Sequence, residues 1–413
     1  MTAFLCGIEF EYLLIDAAGK TPGRVRDFGN LAFPAIAAIL AAPPGADDPR
    51  LATGDLGIKR GYWYPEGDER FHADGRFRTL EVKGVEIRTP PAASVPEALA
   101  ALLRIEEELA GRLGAHGLGL AIAAANPRRA AYRFAPPLNG WETALRAAHH
   151  AYDAAHISTL SYGPDINLSL PGQSARAALE MARKLDHYAP WLAPFSFCSP
   201  FHAGRRWPGA SWRTFHRAPA RPAVKLFLAP EDRHRHASRL VHPARQPNEA
   251  GRIEFKAFDA QPSADILAAL CHLLIGVCLA PGLPGRGETP DTLLYCRAAR
   301  QGFHNEEIRG GSRRLLDTAA SALERAGYRG DTLAPLDKLI AARATPADEL
   351  LAQWQAGGAM VFIGGLREER KARGFFQEAR LSARSGVAPA RSSAVKQTPL
   401  RHARFRPGND PAR

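Results

Sequence analysis

The stretch from Cys6 to Ile15, CGIEFEYLLI, constrains this chain more than any other. Its alternation has a period of two, which predicts a β-strand with Ile8, Phe10, Tyr12 and Leu14 on one face and Glu9, Glu11 and Leu13 on the other. At a rise of about 3.3 Å per residue the two glutamate Cα atoms lie roughly 6.6 Å apart. Carboxylates that close repel unless metal ions or cationic side chains neutralise them. The plain alternative is the solvated face of an antiparallel strand, but the same layout returns in three later segments.

Thr79–Thr89, TLEVKGVEIRT, reads as two short strands broken at Gly84, with Glu86 and Arg88 facing away from Val85 and Ile87 and with Pro90 and Pro91 ending the second. Ser158–Pro171 sets Asp165, Asn167 and Ser169 against Ile166, Leu168 and Leu170; Gly251–Phe258 sets Arg252, Glu254 and Lys256 against Ile253, Phe255 and Ala257. The polar faces together offer Glu9, Glu11, Glu86, Asp165 and Glu254 as anionic oxygen ligands and Arg88, Arg252 and Lys256 as fixed cations. Hard oxygen donors without cysteine select Mg²⁺ or Mn²⁺ over zinc. Arginine and lysine beside such ligands suit a nucleotide triphosphate, whose phosphate oxygens are bridged by metal while the cations hold the transferring group. The chain carries no glycine-rich phosphate loop ending in Lys-Ser or Lys-Thr. ATP is therefore expected to bind through metals on a sheet face.

The remaining segments read mainly as scaffold. Leu31–Ala42 predicts a short helix, residues 43–76 a loop whose GYWYPEGDER stretch forms a pocket wall or a hairpin, and Leu118–Ala125 a buried strand. Ser94 and Glu97 form a capping box opening a helix, with Gly114 just past its end. Helices are also expected over Trp141–Asp153, residues 173–188, Ser263–Ala280 and much of 290–380, with a strand or turn in 357–365. The aromatic, basic segment 191–217 reads as an irregular loop that either supplies substrate contacts or covers the core. Residues 229–249, with His234, His236 and His242, read as a solvated basic loop because no carboxylate or cysteine stands at a ligand spacing.

A net charge of +12 would point to a polyanionic partner if it were evenly spread, but a net +6 of it falls in residues 384–413. That tail, rich in Ser, Ala, Pro and Arg, is expected to be disordered, leaving residues 1–383 as the catalytic domain, with nucleic acid an unlikely partner. Five cysteines without paired spacing argue against a disulfide framework. The first apolar segment carries Glu9 and Glu11 and lacks a basic leader, and the longest apolar run, Ile266–Ala280, is too short to span a membrane. A cytoplasmic protein, with no membrane partner and compatible with a homo-oligomer, is the expectation.

The motifs, in order, resemble those of the glutamate-cysteine ligase family. GIEFEYLL is similar to its GxExE opening, VEIRTPP to its LExxTP segment, GPDINLSL to its GxHxNxS segment, and RIEFKAFDAQPS to its IExRxxDxxP segment. The resemblance spans residues 7–262 and implies a glutamine synthetase-like α+β fold: a curved, mainly antiparallel sheet forming a funnel, with helices packed outside. It implies that Glu9, Glu11, Glu86 and Glu254 are ligands for Mg²⁺, that Asp165 replaces a histidine ligand, and that Asn167 stands near the metals or the acceptor. Lys256 would replace an arginine that contacts ATP phosphate, and Arg252 and Arg88 would complete the cations. Glu81 is a weaker ligand candidate, one residue farther from Glu86 than expected. The two replacements put the usual substrates, glutamate and cysteine, in question. The expected activity is ATP-dependent amide formation from small-molecule carboxylate and amine substrates through an acyl phosphate. The rivals are a guanidino phosphotransferase-like kinase and a non-catalytic metabolite-binding protein of the same fold.

Overall fold

The computed structural model describes residues 4–17, 19, 21–48, 51, 59–148, 155–219, 221–289 and 291–366. The expected domain boundary at 383 and the basic tail lie outside the described residues. Along the chain the strands are β1 (Leu5–Asp16), β2 (Val25–Arg26), β3 (Trp63–Phe71), β4 (Phe77–Arg88), β5 (Leu118–Ile122) and β6 (Pro164–Ser169). There follow β7 (Phe201–His202), β8 (Arg205–Arg206), β9 (Val224–Leu228), β10 (Val241–Pro243), β11 (Ile253–Phe255) and β12 (Phe362–Ile363).

The main sheet runs β10-β9-β11-β6-β1-β4-β3 and is antiparallel throughout except for the parallel pair β9–β10. It curls strongly, giving a mixed α+β fold of sheet and helices. The first half of β1 lies between β4 and β6; the second half pairs with β2 and β5. This change of partners explains the burial along the strand. Ile8, Phe10, Tyr12 and Leu14 are fully buried as the period of two requires, but Leu13 is buried as well. It stands where β1 has left the β4–β6 pairing for β5.

The apolar face of β1 shares one core with Leu102, Ile105 and Leu109 of the helix Val95–Gly114 and with Leu267, Leu270 and Leu274 of the helix Ala264–Leu279. Ser94 and Ser263 cap these helices by accepting from the amides of Glu97 and Ile266. The second helix is apolar nearly all round, as a helix enclosed by others must be. Tyr12 crosses the layer interface and donates from its hydroxyl to Glu106 at 2.6 Å. Among the described residues, no helix is long and apolar enough to cross a membrane.

Several expectations need correction. Residues 43–76 are not all loop: of the two forms expected for the GYWYPEGDER stretch the hairpin is the one found, since it makes up most of β3, the partner of β4. The pair of strands expected around Gly84 is one continuous strand, and Gly84 marks a bulge within it: Glu66 pairs with Gly84 and Gly67 with Val82, leaving Lys83 as the extra residue. Segment 191–217 is partly regular, holding the β7–β8 hairpin and the helix Trp212–Arg217 capped by Ser211. Residues 229–249 contain a helical turn, Pro230–Arg233, and β10. Of the helix expected over 141–153, Gly140–Ala148 is described and the remainder lies outside the described residues.

The edge strand β3 is fixed by buried ion pairs with the helix Gly140–Ala148. Glu142 accepts from Arg70 Nε at 2.8 Å and Nη2 at 3.1 Å and from the amides of Phe71 and Asn139 at 2.9 and 3.0 Å. Arg146 donates to Asp68 at 2.9 Å. Burial alone would raise the Glu142 carboxyl, but Arg70 and the two amides outweigh it and hold the group at about 2. A carboxyl depressed below its usual value of about 4.3 stabilises the fold above that pH, and the contribution is lost as pH falls toward 2. Glu142→Gln leaves Arg70 buried and uncompensated, and is expected to cost about 3 kcal/mol at neutral pH and to flatten the acid limb between pH 4.5 and 2. Urea unfolding of both proteins across that range measures the difference; equal midpoints throughout would contradict it.

Candidate active site

The polar face of the sheet gathers carboxylates because β1 carries two of them between strands that carry more. In the register, Glu9 lies opposite Asp165 on β6, Glu11 opposite Glu86 on β4, and Glu254 on β11 opposite Asn167 on β6. Two groups result, Glu9–Asp165–Glu254 and Glu11–Glu66–Glu86, each with ligand oxygens within 4.8 Å of one another. All five expected carboxylates fall in these groups. The sixth, Glu66 on β3, was not among the expected ligands; its signal is the Trp63-Tyr64 pair, whose aromatic strand propensity argues against a loop.

In the first group Lys256 donates to Glu254 at 2.6 Å and also to Asp165. Lys225 stands 3.8 Å and Arg252 4.0 Å from Glu254. Arg252 also donates to Asn167 Oδ1 at 2.5 Å and to Glu249 at 2.9 Å, and its guanidinium lies 3.9 Å from the centre of the Phe227 ring. Asn167 in turn donates to Glu9 at 3.2 Å. Burial, with Glu254, Glu9 and Glu11 adding to it against Lys256, lifts the Asp165 carboxyl to about 7. Glu254 moves the other way: Lys225, Lys256 and Arg252 overcome its burial and hold it well below the usual range.

In the second group Lys83 donates to Glu11 at 2.6 Å and to the carbonyls of Ser158 and Ser161, while the Gly163 amide donates to the other Glu11 oxygen at 2.9 Å. Lys59 stands 2.8 Å from Glu66. Glu86, 4% exposed, is pushed well above the usual carboxylate range by burial and then by its neighbours Glu66, Glu9 and Glu11. Lys83 reaches this face because of the bulge, which puts two consecutive residues, Lys83 and Gly84, on the polar side. The same bulge supplies the extra residue between Glu81 and Glu86. Glu81 lies opposite Asp68, outside both carboxylate groups.

The expected cations are placed differently from one another. Arg252 and Lys256 belong to the first group. Arg88 donates to the carbonyls of Gly61 at 3.0 Å, Lys59 at 3.1 Å and Leu51, and lies over the Tyr64 ring. Its described contacts thus hold the segment that carries Lys59. From segment 191–217, Arg213 donates to the carbonyls of Lys256 at 3.0 Å and Ala257 at 3.3 Å and fixes the end of β11. Every donor of both groups is a carboxylate oxygen, and such a set fits Mg²⁺ or Mn²⁺.

At Gly84 an added Cβ would lie 2.0 Å from the Tyr12 carbonyl oxygen. Gly84→Ala must therefore push β4 from β1 and displace Glu86 from Glu11. We expect a loss of about 2 kcal/mol in stability, read as a lower urea midpoint; a midpoint equal to that of the parent would contradict the bulge geometry.

Comparison with known proteins gives a consistent assignment. The model of glutamate-cysteine ligase family 2 matches residues 6–244. The match ends before β11, so the place of Glu254 and Lys256 rests on the geometry above. A protein of Rubrobacter xylanophilus named "Putative glutamate--cysteine ligase 2-3" is 28% identical over 281 residues, covering 60% of this chain and 71% of that protein. Among solved structures, a bifunctional glutathione synthetase from Pasteurella multocida aligns with a TM-score of 0.54 at 15% identity, over 91% of this chain and 53% of that one. The chain spans about half the length of that enzyme. The chain belongs to glutamate-cysteine ligase family 2.

Proposed function

We propose that this protein is an ATP-dependent carboxylate-amine ligase that forms an amide through an acyl phosphate, acting on an amino acid such as glutamate. The observation that carries the reading is the pair of all-carboxylate groups, Glu9–Asp165–Glu254 and Glu11–Glu66–Glu86, set side by side across β1 with Arg252, Lys225 and Lys256 at one end. A substrate carboxylate approaching a triphosphate is anion meeting anion, and repulsion between them is large unless cations stand between.

The two groups would hold Mg²⁺ or Mn²⁺, which when bound neutralises phosphate oxygens and leaves the γ-phosphoryl group open to attack. Arg252 presents a guanidinium to the transferring phosphoryl group; Asn167 and Phe227 hold that guanidinium in one orientation. Arg213 fixes the backbone at Lys256 and so the end of β11. Arg88, by ordering Gly61 and Lys59, shapes the wall beside Glu66. Arg217 is buried and has no ion pair among the described residues, which suits it to the distal carboxylate of an amino-acid substrate. The substrate carboxylate attacks the γ-phosphorus, ADP leaves, an amine attacks the acyl carbonyl, and phosphate departs. The residues act by positioning and by charge, the terms that dominate phosphoryl transfer. The soluble catalytic part is taken as residues 1–383, in the cytoplasm, with the basic tail an appendage that turnover does not need.

The test is Mg²⁺-dependent release of ADP with amino acids supplied singly and in pairs. The reading expects turnover only with an acid and an amine together, and a fall of at least about a hundredfold in Glu254→Gln, within the range that removal of one charged transition-state group produces. A stable phosphorylated substrate in place of an amide would instead establish a kinase, and failure to bind nucleotide would leave a metabolite-binding protein.

A further inference from the structure

The two carboxylate groups are similar in composition and differ in how the chain neutralises them. Around Glu9, Asp165 and Glu254 stand three cations: Lys256, bonded to both Asp165 and Glu254, Lys225 at 3.8 Å and Arg252 at 4.0 Å. Around Glu11, Glu66 and Glu86 stand two, Lys83 on Glu11 and Lys59 on Glu66. Among the described residues, Glu86 has no ion pair with a lysine or arginine, although it is 4% exposed and faces two other carboxylates. The first group thus has as many cations as carboxylates, gathered on Glu254 and Asp165, and the second has one cation fewer. The position of the ammonium matters as much as the count. Lys256 bridges two of the three carboxylates of the group, so a divalent ion entering there meets a fixed positive charge at contact range.

We propose that the Lys256 ammonium is a tethered counter-ion occupying the Glu9–Asp165–Glu254 group, so that the nucleotide-free protein takes one divalent cation tightly, at Glu11–Glu66–Glu86. The inference rests on the reading of these carboxylates as metal ligands and makes it specific to this chain. Lysine at this position is suited to the role because its ammonium is a compact point charge on a flexible stem. Arg213 donates to the Lys256 carbonyl and so fixes the backbone from which the lysine stem projects. The wild-type protein is then set apart from a chain that must load both groups with metal before nucleotide arrives.

Mn²⁺ titration of the full-length, nucleotide-free protein, followed by the electron paramagnetic resonance signal of free Mn²⁺, counts the tight sites without any turnover. The expected result is one tight ion in the wild type and two in Lys256→Gln, the second bound at least about tenfold more tightly than any second ion in the wild type, a difference of about 1.4 kcal/mol. Glu86→Gln should lose the single tight ion, while Asp165→Asn should keep it; this pair decides the matter even if Lys256→Gln fails to fold, with circular dichroism as the check on each variant. Two equally tight ions in the wild type, no gain in a folded Lys256→Gln, or loss in Asp165→Asn with retention in Glu86→Gln would each overturn the proposal. Absence of tight Mn²⁺ in every variant would overturn it along with the metal-ligand assignment, whereas a correct ion count without ADP release would sink only the ligase reading.

Discussion

The repulsion among six carboxylates on one sheet face is the constraint on which the rest of the structure depends. Unbalanced, charges at these separations and this degree of burial would oppose folding by more than a domain's net stability. The chain answers with three lysines: Lys83 at Glu11, Lys59 at Glu66, and Lys256 between Asp165 and Glu254. Each comes from a different element, so each ion pair is also a tertiary tether. The apolar reverse of β1, packed on the helices Val95–Gly114 and Ala264–Leu279, supplies the burial that makes such a face tolerable. Sheet, core and site are therefore one construction, with function on the side that costs stability and packing on the side that restores it.

That construction was legible in the sequence wherever the period of two runs unbroken. β1, β6 and β11 alternate cleanly, and the faces read from them, including Glu9, Glu11, Asp165, Asn167 and Glu254, are the faces found. The period fails at bulges. Glu66 and Lys83 both lie beside the irregularity between β3 and β4, where the register slips between Glu66 and Gly67. A reader following strict alternation puts Lys83 on the apolar side and breaks β4 at Gly84. The short strand β9 escaped notice because five residues between proline-rich segments give too few periods to count, and with it went Lys225. Arg88 shows the opposite case, a residue on the expected face whose guanidinium is drawn sideways to backbone carbonyls of the Leu51–Gly61 segment, which sequence spacing does not encode.

The two departures from the family's motifs, Asp165 and Lys256, prove to be partners in one ion pair. Read separately along the chain they are two independent replacements. Joined across β6 and β11 they form a single feature, an anionic ligand together with the cation that balances it. This makes the family resemblance and the local chemistry compatible: the carboxylate layout is kept, and Asp165, which adds an anion, lies against Lys256, which keeps the positive charge of the arginine it would replace.

The central claim is that the face formed by these groups joins a carboxylate to an amine by way of an acyl phosphate. Its most direct test uses an acid substrate with both carboxylate oxygens labelled with ¹⁸O, supplied with ATP, Mg²⁺ and the amine that together support turnover. Attack of the carboxylate on the γ-phosphorus, followed by attack of the amine at carbon, must leave one labelled oxygen in the released phosphate, and mass spectrometry of that phosphate should show one ¹⁸O for each amide formed. Phosphate free of label alongside amide product would contradict the account.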